Sequence, residues 1–363
     1  MTPPFKLLAA LLAALSLALA GCATQPIEDR AVAQPPAGAD ARSAIPAVPR
    51  PQIPDRAWQE RLLALDPAHI TDRDVRETLA HGPTPRIILL HGGLYPVHLL
   101  MGSFGRFLSG MGYPEARIRD PGDNDWSYSP YEDSAKLAGI VAWDYERNGV
   151  RPMMIGHSQG GMQAVKVLHE LSGHFSKSLS VYDPKRDGFE ERTTIVDPLT
   201  RQQRPVVGVS LAYVSVVGAG GAAFLLPNQW SMLDKLNSVP DTVDEFTGFF
   251  IGVDLIAWSF PGANPRYTHN GSATVRNVEL PVTYSHIFLP LVGSLADEPE
   301  VRDWINAYAP GDKRDPSALP GDAPQHVLWA ADVWYSIKNH WCIEAQRWLR
   351  AVRAAPPAEH LAP

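Results

Sequence analysis

Two cysteines in 363 residues leave this chain almost nothing for covalent cross-linking. A disulfide framework is therefore excluded, and stability has to come from a packed core. A basic block is also missing. Lys and Arg total 32 against 39 Asp and Glu, for a net charge of −7, and no run would track a phosphate backbone. That balance argues against a general nucleic-acid binder. Long apolar runs are absent apart from residues 7–20, which are too few for a comfortable transmembrane span. What remains, 45% hydrophobic and 20% charged residues, is the composition of a globular protein long enough for one large domain or two small ones.

The amino terminus is a targeting segment rather than fold. Lys6 precedes the Leu/Ala run, and small residues follow it at a cut site. Leu19-Ala20-Gly21-Cys22 resembles the lipobox of bacterial lipoproteins. The resemblance implies a signal peptide over 1–21 and acylation of Cys22, with an ordinary secretory signal as the alternative. It places the protein in the bacterial cell envelope, lipid-anchored or periplasmic, and Ala23 after the cysteine leans towards the outer membrane. The membrane is then a partner through the anchor, and Cys342 is left alone. Residues 22–56, rich in Ala and Pro, read as a disordered tether, and 354–363 as a flexible tail.

Within 57–353 the chain is organised around Met153-Met154-Ile155-Gly156-His157-Ser158-Gln159-Gly160-Gly161. An apolar strand runs into Gly-x-Ser-x-Gly, and Met162, Val165, Leu168 and Leu171 then recur at helical spacing. Strand, sharp turn and helix are the context of a nucleophile elbow, in which the glycines make room for a turn that leaves Ser158 Oγ exposed. A serine nucleophile also needs backbone N–H groups aimed at a developing oxyanion. Gln159, next after the serine, supplies one, and Gly93, in His91-Gly92-Gly93 after the buried strand 86–90, supplies the other.

Strand and helix alternate through 86–171, with a weak strand at 116–120, a helix over 133–147 and a further strand at 206–217. This predicts an α/β fold with a mostly parallel central sheet and helices on both faces. Residues 222–275 depart from the alternation. Their aromatic stretch 245–258 reads either as a lid over the serine or as ordinary core. Strands at 278–287 and 326–335 and a closing helix at 343–352 complete the domain.

The serine needs a base, and an acid to orient it, in the chain order Ser, Asp or Glu, His. His340, between the last strand and the closing helix, is the expected base, with a structural helix cap as its alternative role. His286 stands too early to leave room for an acid and a last strand. Asp322 lies in the loop between the last two strands and Asp297 is the runner-up, while Asp303, Asp315 and Asp332 stay open.

Gly156-His157-Ser158-Gln159-Gly160-Gly161, His91-Gly92-Gly93 and Asn339-His340 together resemble the α/β-hydrolase superfamily, nearest to bacterial lipases and esterases. Val282-Thr283-Tyr284-Ser285 followed by a long loop is similar to the lipase pattern and puts Asp322 first. The resemblance implies hydrolysis of carboxylic esters, lipid-like or otherwise apolar, through an acyl-enzyme on Ser158. It implies no cofactor. Where the calcium-dependent members carry an Asp two residues after the histidine, this chain has Cys342, so no metal is expected. Acyl transfer by the same residues, and a non-catalytic envelope lipoprotein using the fold as a scaffold, are the alternatives. The oligomeric state is not legible.

Overall fold

The computed structural model describes residues 54–93, 95–221, 227–258 and 266–354. The expected signal peptide, Cys22, the tether up to residue 53 and the tail beyond Ala354 lie outside the described residues. Among those described, no helix is long and apolar enough to cross a membrane.

Five strands, β1 (Ile87–Leu90), β2 (Met153–His157), β3 (Leu211–Val217), β4 (Val243–Ile251) and β5 (Thr274–Leu280), form one sheet in chain order. Every neighbouring pair is parallel, with Ile88 opposite Met154, Gly156 opposite Val216 and Val217 opposite Phe249. β1, β2 and β3 are buried at every position, as expected of parallel strands covered on both faces. Helices α1 (Arg56–Ala64), α2 (Asp72–Glu77), α3 (Tyr95–Gly110), α4 (Ser134–Asn148), α5 (Gln159–Leu171), α6 (Pro299–Asn306) and α7 (Val327–Ala354) surround it.

The alternation along the strands sorts the core into two layers. Ile87, Leu89, Met153 and Ile155 pack with Phe104, Phe107, Trp334 and Trp341 of α3 and α7. Ile88, Leu90 and Met154 pack with Leu137, Val141, Val165 and Leu168 of α4 and α5. The expected α/β class with a parallel, doubly covered sheet is what the chain forms. Helix α4 starts where the sequence signals it: Asp133 accepts from the Ala135 N–H, and Gly149, at φ 73°, ends the helix in the left-handed region.

Four expected elements differ. Residues 115–117 make a single 3-10 turn rather than a strand. The expected strand at 278–287 runs over Thr274–Leu280 instead; the aromatic stretch 245–258 divides, with Phe246 and Phe249 buried in β4 and Val253, Leu255 and Trp258 exposed past its end. Residues 222–226 and 259–265 lie outside the described residues. The expected strand at 326–335 is the first third of α7, a helix of 28 residues. Val327, Ala330, Trp334, Ile337, Trp341 and Ala345 are buried at intervals of three and four. That period continues across the supposed strand–helix boundary.

Helix α7 docks under the sheet through buried charges as well as apolar rings. The Arg276 guanidinium of β5 donates to both oxygens of Asp332, at 2.7 and 3.3 Å, and to Glu245 Oε1 of β4 at 3.0 Å. Glu245 Oε2 accepts from His340 Nε2 at 3.1 Å, and the His340 ring stacks on Tyr213 with centroids 5.5 Å apart. Burial alone would push the Glu245 carboxyl up. The hydrogen bond and charge of His340, with Arg276, outweigh it and hold that carboxyl at about 2 against an ordinary 4.5. A carboxyl lowered on folding contributes stability that is complete above its unfolded value and lost as pH falls through the folded one. Glu245→Gln should therefore cost on the order of 3 kcal/mol near neutral pH, with the gap from wild type closing between about pH 4.5 and 2. Urea titrations at pH 7 and pH 3 measure this, and a gap of the same size at both would refute the linkage.

Candidate active site

A parallel sheet in chain order collects the carboxyl ends of all its strands along one edge, where open α/β sheets present their loops. β1 ends there in His91-Gly92-Gly93, β2 in Ser158, β3 in Gly218, β4 in the segment bearing Asp254 and β5 in the segment bearing His286.

Ser158 sits at φ 55° and ψ −124°, a left-handed conformation that L residues rarely adopt. Its N–H donates to Val217 O at 2.8 Å, so β3 carries the ladder of hydrogen bonds past the end of β2 while the chain turns into α5. The flanking glycines are steric necessities. A Cβ on Gly156 would lie 2.5 Å from Gly160 O, and one on Gly160 2.4 Å from Leu90 O and 2.5 Å from His91 O. Ser158 itself is half-buried, and its hydroxyl makes no cap to the helix it opens.

Its partner is His286. The Ser158 hydroxyl lies 2.9 Å from His286 Nε2, and His286 Nδ1 lies 2.5 Å from Asp254 Oδ2. A carboxylate can only accept, so Nδ1 carries the hydrogen and Nε2 is left free to accept from the serine. The other oxygen of Asp254 accepts from the N–H groups of Ile256 and Ala257, at 3.0 and 2.9 Å, which fixes the carboxylate. Asp254 is 3% exposed and His286 8%. Burial pushes the Asp254 carboxyl up. The hydrogen bond and charge of His286 and the two backbone N–H groups outweigh it, and hold the carboxyl below its ordinary range. Gly218, at φ 60°, admits the imidazole, since a Cβ there would stand 2.7 Å from His286 Cε1.

The loop holding Gly93 lies against the side chain of Gln159 and beside Ser158. A Cβ on Gly93 would fall 2.1 Å from Gln159 Oε1, and one on Gly92 3.2 Å from Ser158 Cβ. The Tyr131 hydroxyl donates to Gly93 O at 3.3 Å, fastening the loop from its outer side. Gln159 is the first residue of α5, where N–H groups have no intrahelical acceptor and the helix dipole is positive. Chemically, the cluster offers a hydroxyl with an imidazole at hydrogen-bond distance, an ionised orienting carboxylate and the N–H end of α5 beside it.

The expected base and acid are corrected. His340 lies mid-helix in α7, bonded to Glu245 and stacked on Tyr213, and its place beside Ser158 is taken by His286. Asp322 is exposed at the head of a 3-10 turn covering residues 323–325, and Asp297 is exposed at the end of another covering 293–296. Neither is the carboxylate bonded to His286; that is Asp254. Asp254 escapes the sequence because its segment looks like insertion or core, and His286 because a further strand is expected after it. The signal that does point to them is the chain order Ser158, Asp254, His286, with the acid three residues past β4 and the base six past β5.

The backbone strain at Ser158 gives a stability test. Ser158→Gly relieves it whereas Ser158→Ala keeps it, so the glycine variant should be more stable than the alanine variant by about 1 kcal/mol, after glycine's own entropy cost. Parallel denaturant melts decide this, and equal stabilities would mean that the turn is unstrained.

No family model matches the chain, and no curated protein does. Among solved structures it is similar to "RedJ with PEG molecule bound in the active site", with 16% identity over 63% of this chain and 92% of that one and a TM-score of 0.27. A likeness at that level carries no weight for function, so the chemistry of this chain rests on the geometry of its own residues.

Proposed function

We propose that this protein is a serine hydrolase of α/β-hydrolase type that cleaves carboxylic esters. The observation that carries the proposal is the run of two hydrogen bonds from Asp254 through His286 to Ser158, at the carboxyl edge of a parallel sheet. Ser158 Oγ attacks the ester carbonyl while His286 Nε2 takes its proton. The N–H groups of Gly93 and Gln159 hold the oxygen that becomes negative. His286 returns the proton to the departing alkoxide, leaving an acyl group on Ser158. Water, deprotonated by the same imidazole, attacks that acyl group, and the carboxylic acid leaves as Ser158 regains its hydrogen. Asp254 keeps the imidazole in the required tautomer and stabilises its cation.

Apolar esters suit the surroundings. Val253, Leu255 and Trp258 beside Asp254, and Val282, Phe288 and Leu291 beside His286, are large and exposed. The two segments converge: a Cβ on Gly252 would lie 2.6 Å from Val282 Cγ1. Exposed apolar side chains gathered round a polar cluster indicate contact with something apolar. The amino-terminal reading belongs to the same proposal, with a lipid on Cys22 holding the enzyme at the envelope membrane.

A fluorophosphonate probe should label wild type stoichiometrically and Ser158→Ala not at all. His286→Ala and Asp254→Asn should lower kcat/KM on a p-nitrophenyl ester by roughly 10²- to 10⁴-fold. His340→Gln, wherever it folds, should stay within about threefold of wild type, because it touches none of the reacting groups. An unlabelled wild type, or a loss on His340→Gln as large as on His286→Ala, would overturn the assignment. Growth with an alkynyl fatty acid should tag wild type and not Cys22→Ser; equal tagging would remove the anchor.

A further inference from the structure

His157, the residue before the serine, bonds to neither Ser158 nor Asp254; it is 1% exposed, its ring lies 5.1 Å from that of His286, centroid to centroid, and it carries a hydrogen bond. Its Nε2 lies 2.6 Å from the backbone oxygen of His286. A carbonyl oxygen can only accept, so the hydrogen is on Nε2. Nδ1 is then a bare lone pair with no partner among the described residues, turned towards Gly92, where a Cβ would stand 3.1 Å from it. One ring thus lies between the loop that follows β1 and the backbone that presents the base.

We infer that His157 is a positioning residue that ties the main chain of His286 to the strand bearing Ser158. This rests on the serine-hydrolase reading of the same site. Asp254 holds His286 by the tip of its side chain only, through Nδ1. Tyr284 and Leu289 seat the flanks of the segment in the core while Val282, Phe288 and Leu291 are exposed, which leaves the His286 peptide itself to be fixed by its own bonds. The bond from His157 supplies the second point of attachment, within one residue of the nucleophile. With its carbonyl held by His157 and its Nδ1 by Asp254, the residue is fixed at both main chain and side chain, which sets where Nε2 stands relative to Ser158 Oγ.

The environment keeps this strap constant. Burial, then the charge of His286, push the His157 imidazole down to about 3, against the opposing effects of the His286 carbonyl and Asp254, with His91 adding a smaller push the same way. The ring therefore stays neutral, with a single hydrogen committed to the carbonyl, while its neighbour gains and loses a proton in each cycle. A purely space-filling role would be met equally well by an aromatic hydrocarbon.

The test compares His157→Phe, which keeps a ring and loses the donor, with His157→Gln, whose amide nitrogen reaches about as far as Nε2. Active sites are counted with the fluorophosphonate so that rates are expressed per competent site. His157→Phe should lose about 30-fold in kcat with KM within about twofold, and His157→Gln should recover to within about fourfold of wild type, because misplacement on the ångström scale costs this much. His157→Phe within threefold of wild type, or His157→Gln as slow as the phenylalanine variant, overturns the inference. Nitrogen shifts of histidine-labelled wild type give a second measurement that does not depend on how the variants fold. They should show His157 as the neutral Nε2–H tautomer throughout pH 5–9, and a titration in that range or the other tautomer also overturns it. A wild type that takes up no fluorophosphonate fails the hydrolase reading itself, whereas normal labelling with an indifferent His157→Phe fails this inference alone.

Discussion

Everything at the carboxyl edge of the sheet hangs on the reversal of the chain at Ser158. The backbone leaves β2, passes through a left-handed residue and enters α5 within one peptide, and this is possible only because main chain is allowed to touch main chain there. Gly160 lies under the oxygens of Leu90 and His91, and Gly156 lies under Gly160. The start of the helix, the end of β1 and the loop holding Gly93 are thereby fixed against one another before any side-chain chemistry is considered. A methyl group at either glycine would separate them.

The other half of the site depends on strand order. β4 and β5 follow β3 outward in sequence, so the segments after them reach back over the ends of β3 and β2 to meet Ser158. That reach leaves the His286 ring poorly placed unless its environment fixes it. Asp254 meets this need by using both oxygens, one for the imidazole and one for the backbone N–H groups of its own turn. A carboxylate bound at both ends has little freedom to rotate away, and burial strengthens each bond. Gly218 contributes by omission, leaving the space that the ring of His286 occupies.

The serine and its flanking glycines are legible in the sequence because local sterics dictate them: the pattern at 156–160 encodes its own turn. Strands β1, β2 and β3 are legible as apolar runs. The pairing of His286 with Asp254 is not, since it is a contact between residues 32 apart that depends on how many strands precede them. One error in counting strands is enough. Residues 326–335 are dense in Trp, Val and Ala, and short apolar runs of this kind suit strand and buried helix alike. Taking them for a strand promotes His340 and displaces His286. The continuation of the three-and-four spacing into Ile337, Trp341 and Ala345 is the signal for one helix.

His157, His286 and His340 occupy closely related chemical settings, and the structure separates them by partner. His340 gives Nε2 to the carboxylate of Glu245 and is locked in a network that also binds Arg276 and Asp332. His157 has only a carbonyl, with no carboxylate bonded to it, so that bond and the charge of Asp254 are too little to offset the cost of burying a charge on it. His286 alone combines a buried carboxylate on one nitrogen with a hydroxyl on the other, next to a half-open surface. A ring that must pick up and surrender a proton in each turnover needs stabilisation of its cation together with a lone pair aimed at the donor. Of the three, His340 faces no hydroxyl nucleophile and His157 has no carboxylate bonded to it, which leaves His286 as the ring whose surroundings meet both requirements.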